Sequence, residues 1–439
     1  MRLTFTSIAF GGEAVARHEG KAVFVPFAMP GDEAEVELVA DHGRFARGRI
    51  TRLPTPAPER VAPRCKHFGA CGGCHWQHIP YALQLQYKTQ IVREQLTRLG
   101  GLSDPPVRPA LGADSPWHYR NHIQFHVDRQ GRMGFMAARS HQIIAIEECH
   151  ILAAPVESLW RELDLALPDL EKVVLRAGVN SGERLAALGL SSDEAPEAEI
   201  DLPVNVVVEL AGGREIVLAG DDHFHESLNG QSFQVSAASF FQVNTPQAER
   251  LMRWLKDWVI EQAQDRGALR VARSRANAQT LNGGAPIARD LTLLDAYCGV
   301  GTVALALAPF AQKVVAIESA PSAARDARAN ARTFSNVQIV EGKVETVLPQ
   351  LTDNFDAVVL DPPREGCAPA VLDAIIQRRV PRIVYISCDP STLARDAKRL
   401  VAGGYHLVEA QPFDMFPQTF HIETVAVFDS ATPDDPASP

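Results

Sequence analysis

From residue 291 onward, apolar runs recur with helical stretches between them, and this alternation restricts the fold more than any other feature of the chain. The runs read LTLLDAYC, KVVAIE, NVQIVEG, FDAVVLDPP, RIVYISC, YHLVEAQPF and TVAVF, and Ala- and Leu-rich segments separate the first five. A strand that is apolar at nearly every position must be covered on both faces, so the pattern predicts a parallel, doubly wound α/β sheet. Ligands of such a sheet bind at the carboxyl ends of its strands.

The remaining chain is organised differently. At 439 residues the protein exceeds one ordinary core, which predicts two or three domains. Residues 1–53 alternate short β-like runs with turn signals at Gly11-Gly12, Pro30-Gly31 and His42-Gly43, the pattern of a small β-barrel. Its segment RFARGRITR places Arg44, Arg47, Arg49 and Arg52 beside Phe45. That arrangement suits either a solvated strand face or a grip on single-stranded nucleic acid. A Pro-rich linker (54–63) follows, then a cysteine cluster and a helical pattern over 81–100. The expected division is a barrel over 1–55, a central α+β domain over 60–250 and a catalytic domain over 251–432, with helix 79–101 able to pack on the catalytic domain. Residues 263–289, rich in Arg, Ala and Gly, are expected to form a flexible insertion.

Charge is divided the same way. Residues 1–150 carry 18 Lys and Arg against 14 Asp and Glu, whereas the rest carries 25 against 39. A basic front on an acidic body can still hold a polyanion locally. No run approaches the roughly 18 apolar residues of a membrane span, and the first residues lack a signal-peptide pattern, so a cytoplasmic chain without membrane contact is expected.

Within the α/β segment, LLDAYCGVGTVALALA reads strand, Gly-rich turn, helix. Gly299, Gly301 and Ala304 complete G-x-G-x-x-A, which dinucleotides and S-adenosylmethionine both use. Glu318 ends the next strand and suits two ribose hydroxyls. VVLDPPREG then sets Asp361 at a strand end before two prolines, a stiff turn that suits methyl transfer to a planar nitrogenous group better than nicotinamide chemistry. Cys388 ends the following strand on the same rim. The helix start after it, Asp389-Pro390-Ser391-Thr392, is expected to offer free backbone N–H groups that stabilise a thiolate. A nucleophilic cysteine is what an unreactive carbon acceptor such as C5 of uracil requires, together with a base to take the C5 proton. FHIETVAVF supplies Glu423 at the start of the last strand, where an ordinary edge-strand carboxylate is the alternative. For Cys298 and Cys367, packing is the expectation.

The seven cysteines are an odd number, which points away from a disulfide framework. Cys65, Cys71 and Cys74, with Cys149 distant, offer four thiolates whose spacing leaves zinc and an iron–sulfur cluster equally open, with His67 or His75 as substitute ligands.

DAYCGVG, VVLDPPREG, YISCDPSTLARD and HIETVAVF, in this order and with ASFFQVN at 238–244, resemble the RNA 5-methyluridine methyltransferases over nearly the whole chain. The resemblance implies a Rossmann-like methyltransferase domain, Cys388 as nucleophile and Glu423 as base. It also implies S-adenosylmethionine contacts from Gln242, Tyr297, Thr302, Glu318 and Asp361, Thr302 standing where relatives often carry Asn. CKHFGACGGCHWQHI and EECHIL resemble the family's ligand set for a four-iron four-sulfur (4Fe-4S) cluster: Cys65, Cys71, Cys74 and Cys149. The N-terminal barrel resembles the TRAM module, an OB-like RNA-binding domain. TRAM and cluster together resemble the branch acting on 23S rRNA, with tRNA methylation, or a non-catalytic iron–sulfur RNA-binding protein, as the alternatives, and a monomer is expected. Trp76, Phe240 and Phe241 are expected to pack in the core rather than to stack on bases.

Overall fold

The computed structural model describes residues 1–137, 140–165, 167, 169–197, 200–270 and 291–431. Six strands within residues 2–55 form the first sheet, in the spatial order Arg2–Thr4, Glu33–Asp41, Phe45–Thr55, Lys21–Val25, Ala14–His18, Ser7–Ile8. Its core is small, built on Leu3, Phe5, Val23, Val25 and Val36. Gly48 marks the tightest crossing, since a Cβ there would lie 2.4 Å from Cγ1 of Val36, a contact that only the absence of a side chain permits.

The arginines of the strand Phe45–Thr55 point outward, and acids reach them: Arg47 pairs with Glu13 at 2.5 Å, Arg49 with Glu37 at 2.7 Å and Arg52 with Glu35 at 3.7 Å. The strand face is therefore a charged ladder of both signs rather than a purely basic stripe.

The central region holds a seven-stranded sheet whose middle strands, Leu170–Ala177 and Arg184–Leu190, are buried at most positions, with the helix Ala154–Glu162 laying Val156, Leu159 and Trp160 onto it. The hairpin His223–Leu228 and Gln231–Ser236 stands apart from that sheet. Its Phe224, Phe233 and Val235 share a core with Val303, Ala304 and Leu305 of the catalytic region, so the catalytic body begins in space well before the boundary drawn at residue 250. The helix Thr245–Arg270 runs past residue 262, into the start of the stretch read as a flexible insertion; the rest of that stretch lies outside the described residues.

The catalytic sheet has the order Val337–Glu341, Lys313–Glu318, Thr292–Asp295, Ala357–Leu360, Arg382–Ser387, Glu423–Ser430, Tyr405–Phe413. The first five strands are parallel, as the βα alternation requires. Glu423–Ser430 alone runs antiparallel, against Arg382–Ser387 on one side and Tyr405–Phe413 on the other, making the sheet mixed rather than wholly parallel. The helix Tyr81–Arg98 packs Ile91, Val92 and Leu96 into the same core as Leu393, Ala394 and Ala397 of the helix Pro390–Ala402. Among the described residues no helix is long and apolar enough to cross a membrane.

Candidate functional site

Parallel strands bring their carboxyl ends to one edge of the sheet, and Asp295, Glu318, Asp361 and Cys388 all stand at or just past such ends. Glu423 reaches the same edge by the opposite route. Its strand runs antiparallel, with Thr424 facing Ser387, so a residue at a strand start comes beside the residue that follows a strand end. Glu423 and Asp361 are accordingly among the charges acting on the Cys388 thiol.

The Gly-rich turn is held by these acids. Gly299 and Gly301 have φ of 56° and 92°, the left-handed region that favours glycine. Gly299 N–H donates to Oε2 of Glu318 at 2.9 Å, and Ala304 N–H to Oδ2 of Asp295 at 2.9 Å. Oδ1 of Asp295 is buried without a protein partner, which leaves a carboxyl oxygen available to a ligand. Tyr297 is half-buried against Cys367. Thr302 heads the following helix and lines a separate cavity of about 380 Å³ with Phe233, Met252 and Lys256.

Charge at this edge is one-sided. Burial pushes the Asp295 carboxyl up to about 8, helped by the negative Asp361 and Glu318. Burial also raises Asp361, and it holds Glu423 well above the usual carboxylate range, with Asp361 adding to that effect. The Cys388 thiol is pushed up to about 12 by burial and then by Glu423, with Arg364 opposing. The expectation that the helix start stabilises a thiolate is thus overturned. Oδ1 of Asp389 accepts from Ser391 N–H at 2.8 Å and from Thr392 N–H at 3.2 Å, so the N–H groups counted on for sulfur are spent on a capping carboxylate whose own charge raises the thiol.

Two residues gain importance that sequence reasoning missed. Arg364, exposed in the turn after the two prolines, is the cation acting on Cys388, Glu423 and His421. Phe240 is 66% exposed, against the expectation of core packing, whereas Trp76 and Phe241 are buried as expected. The cause lies in the backbone around it. Arg176 Nη1 donates to the carbonyls of Ser236, Ala237 and Ser239, and Asp326 accepts from the hydroxyls of Ser236 and Ser239. This clamp turns Phe241 inward and Phe240 out. Gln242 is in the same segment, its carbonyl accepting from Asn121 at 3.0 Å.

Cys65, Cys71, Cys74 and Cys149 line one cavity of about 290 Å³, together with His67 and Arg120. All seven cysteines are free. Lys66 N–H donates to Glu148, Glu147 N–H to Nε2 of His67 and Gly72 N–H to the Met136 carbonyl, so the early cysteines are stitched to the stretch around Cys149. His75 points elsewhere, against Phe420 and His421. Among the described residues no three His, Cys, Asp or Glu side chains gather as a site for a metal ion. Four thiols spread around a hollow suit a group of several atoms better than one zinc ion, whose ligands close to about 2.3 Å.

Comparison with known proteins agrees with this geometry. Residues 277–430 match the family model described as tRNA (Uracil-5-)-methyltransferase, and residues 1–51 match the TRAM domain. An uncharacterized RNA methyltransferase of Halalkalibacterium halodurans is 35% identical across 98% of this chain and 96% of its own length. Another, of Gloeobacter violaceus, is 37% identical across 97% and 95%. Among solved structures, the tRNA (uracil-54, C5)-methyltransferase of Pyrococcus abyssi in complex with S-adenosyl-L-homocysteine superposes with a TM-score of 0.72, covering 98% of this chain and 100% of that one, at 24% identity.

The acid cluster has a measurable consequence. In the folded chain Asp295 holds its proton up to about pH 8, whereas unfolded it ionises near 3.8. Its contribution is therefore fully present below about pH 4 and is lost as pH rises toward 8. The ligand-free protein should unfold at progressively lower urea between about pH 5 and 8, and Asp295→Asn should flatten that slope. An unchanged slope in the variant would show that burial does not govern this carboxyl.

Proposed function

The chain belongs to the RNA uracil-5-methyltransferase family and is an S-adenosylmethionine-dependent enzyme, and from that premise we propose that Cys388 and Glu423 carry the reaction through a covalent enzyme–RNA intermediate. The observation that supports this most is the placement of one thiol and one carboxylate, from strands of opposite direction, at the same edge of the sheet.

Cys388 loses its thiol proton to the carboxylate of Asp361, which leaves Glu423 free for the later step, and its sulfur adds to C6 of the target uracil. The C5=C6 electron pair moves toward C4 and its oxygen, which makes C5 nucleophilic. S-adenosylmethionine, when bound, supplies the methyl group that C5 takes. Glu423, ionised, removes the C5 proton; the C5=C6 bond re-forms as the C6–S bond breaks, and the thiolate leaves. Arg364 offsets the negative charge that these groups share. The raised thiol of the ligand-free chain fits an enzyme that ionises its nucleophile only once cationic groups have gathered around it.

Asp295, Glu318 and Asp361 are suited to the donor groups and the positive charge of S-adenosylmethionine, with Gln242 and Tyr297 proposed as further contacts from the family resemblance. Thr302 has weaker support, because its cavity lies apart from the acids. Phe240, exposed beside Gln242, offers a face on which an unpaired base can stack; reaching C5 and C6 requires the uridine to leave its helix or to be unpaired already.

The four cysteines are proposed to hold a 4Fe-4S cluster, a role supported by their common cavity and thiol-only donor set. When present it ties the early cysteines to Cys149; the methyl transfer itself moves no net electrons. Iron and acid-labile sulfide in anaerobically purified protein are expected, and stoichiometric zinc in their place would reject the assignment.

The substrate is proposed to be 23S rRNA, on the combination of TRAM barrel and cysteine site. The competing substrate is tRNA, favoured by the Pyrococcus neighbour, which spans the same full length. Mapping 5-methyluridine in cells with and without the gene separates the two: a lost residue in 23S rRNA is expected, and loss confined to tRNA would reverse the choice.

For the mechanism, RNA containing 5-fluorouridine blocks the second half of the cycle because C5 then carries no proton. With S-adenosylmethionine, the parent protein should form a covalent adduct that survives denaturation, and Cys388→Ser should form none. An adduct on Cys388→Ser would refute the assignment of the nucleophile.

A further inference from the structure

Glu423 follows a nine-residue connection, 414–422, between the strands Tyr405–Phe413 and Glu423–Ser430, whose register pairs Phe413 with Glu423. This connection has no regular structure of its own, yet its backbone is held from four directions. Gln247 Nε2 donates to the Asp414 carbonyl at 3.1 Å, Asn244 Nδ2 to that of Met415 at 3.2 Å, Lys88 Nζ to that of Phe416 at 3.2 Å and the Tyr119 hydroxyl to that of Pro417 at 3.0 Å. The Gln418 carbonyl accepts both His75 N–H and Trp76 N–H at 3.0 Å. These last two residues directly follow Cys74.

One side chain gathers these supports. Gln84, fully buried on the helix Tyr81–Arg98, donates through Nε2 to the carbonyls of Trp76 at 3.1 Å and Ile79 at 2.9 Å and to Oε1 of Gln418 at 3.1 Å. Its Oε1 accepts Gln418 N–H at 3.1 Å. One turn along the same helix face, Lys88 forms a fully buried ion pair with Asp414 at 2.6 Å. Gln418 itself has φ of 68°, a left-handed conformation that a non-glycine residue keeps only where its surroundings impose it.

We propose that Gln84 is a positioning residue for the carboxylate of Glu423, and that through it the segment behind the cysteine cavity controls the second half of the reaction. The inference rests on the reading of Cys388 as nucleophile and Glu423 as base. Addition at C6 depends on the rim where Cys388 stands, which Gln84 does not touch. Release depends on Glu423 taking the C5 proton while the C5=C6 bond re-forms and the C6–S bond breaks. A connection that has lost Gln84 sets Glu423 less well, and misplacement of about 1 Å can cost about a hundredfold. Loosening it should therefore slow release and spare addition, which loss of folded protein would not do.

The test uses the full-length protein and RNA with ordinary uridine, in single turnover, following the covalent enzyme–RNA species on denaturing gels. In Gln84→Ala the species should form at close to the parent rate and decay about ten- to a hundredfold more slowly, so that it accumulates with the methyl group on C5. Amide exchange at Gln418 should speed up in the same variant, a readout independent of turnover. Gln418→Ala removes only the Oε1 partner and keeps the backbone bonds. It should show the same selective delay to a smaller degree, and it carries the test should Gln84→Ala not fold. Glu423→Gln is the control, expected to accumulate the adduct most strongly. If it turns over freely, the reading of the base fails and this inference with it. If Glu423→Gln accumulates the adduct while the Gln84 and Gln418 variants form and release it like the parent, or lose both halves in proportion, the positioning role alone is overturned.

Discussion

Negative charge confined under low solvent access is the constraint on which the rest of the site depends. Asp295, Asp361 and Glu423 meet the Cys388 thiol at one edge of the sheet, and burial opposes ionisation of each. In water the carboxyls would ionise at neutral pH; here they share protons and the thiol keeps its own. Arg364 is exposed and answers only part of that charge. A ligand bearing positive charge and hydrogen-bond donors would complete what the fold leaves unbalanced, and its binding energy could ionise groups that burial holds neutral. A thiol that ionises early would be a standing target for oxidation and metals. In the proposed reaction, a thiol that burial holds near 12 would ionise only as cationic groups join it.

The second constraint is mechanical. Glu423, the base of the proposed reaction, stands at the end of a connection between antiparallel strands, where chain ordinarily has freedom. Here that connection is the place where the parts of the molecule meet. The cysteine segment supplies two backbone donors, the helix Tyr81–Arg98 an amide and an ammonium, and the central region a tyrosine hydroxyl. Phe420 presses on Gly12 of the barrel, where a Cβ would come within 2.8 Å of it, and Trp76 Nε1 donates to the Gly12 carbonyl. A buried ion pair such as Lys88–Asp414 adds little net stability once desolvation is counted, but it allows few alternatives, because either partner alone would be a buried unpaired charge. Its use here is specification of a loop.

These two constraints were unequally legible in the sequence. Strand ends, the Gly-rich turn, the Asp361 turn and the site of Cys388 follow from periodicity and motif order, because a parallel sheet converts sequence position into a common edge; Glu423, on the antiparallel strand, is singled out only by the family resemblance. The protonation of Cys388 did not follow, since it depends on which acceptor takes the N–H groups of Ser391 and Thr392, and Asp389 competes for them at short range. The direction of Phe240 was also hidden. Two adjacent phenylalanines are equivalent by composition, and the choice is made by Arg176 and Asp326, distant in sequence. Gln84 gave no signal at all: a glutamine on a helix reads as surface until the carbonyls of Trp76 and Ile79 and the amide of Gln418 are seen around it.

The paired arginines of the barrel bear on how RNA is held. Arg49 and Glu37 are 67% and 55% exposed, and an ion pair in such surroundings is worth about 0–1 kcal/mol. A phosphate, which offers charge and several acceptors to a guanidinium, can displace such a carboxylate at small cost. The pairing acids therefore leave both readings of the strand open, a solvated face and a grip on single-stranded nucleic acid. In either case the acids reduce the number of unpaired cations, on which non-specific affinity for a polyanion depends. The cation left for selective contact lies instead at the sheet edge, where exposed Arg364 acts on the half-buried Cys388 thiol.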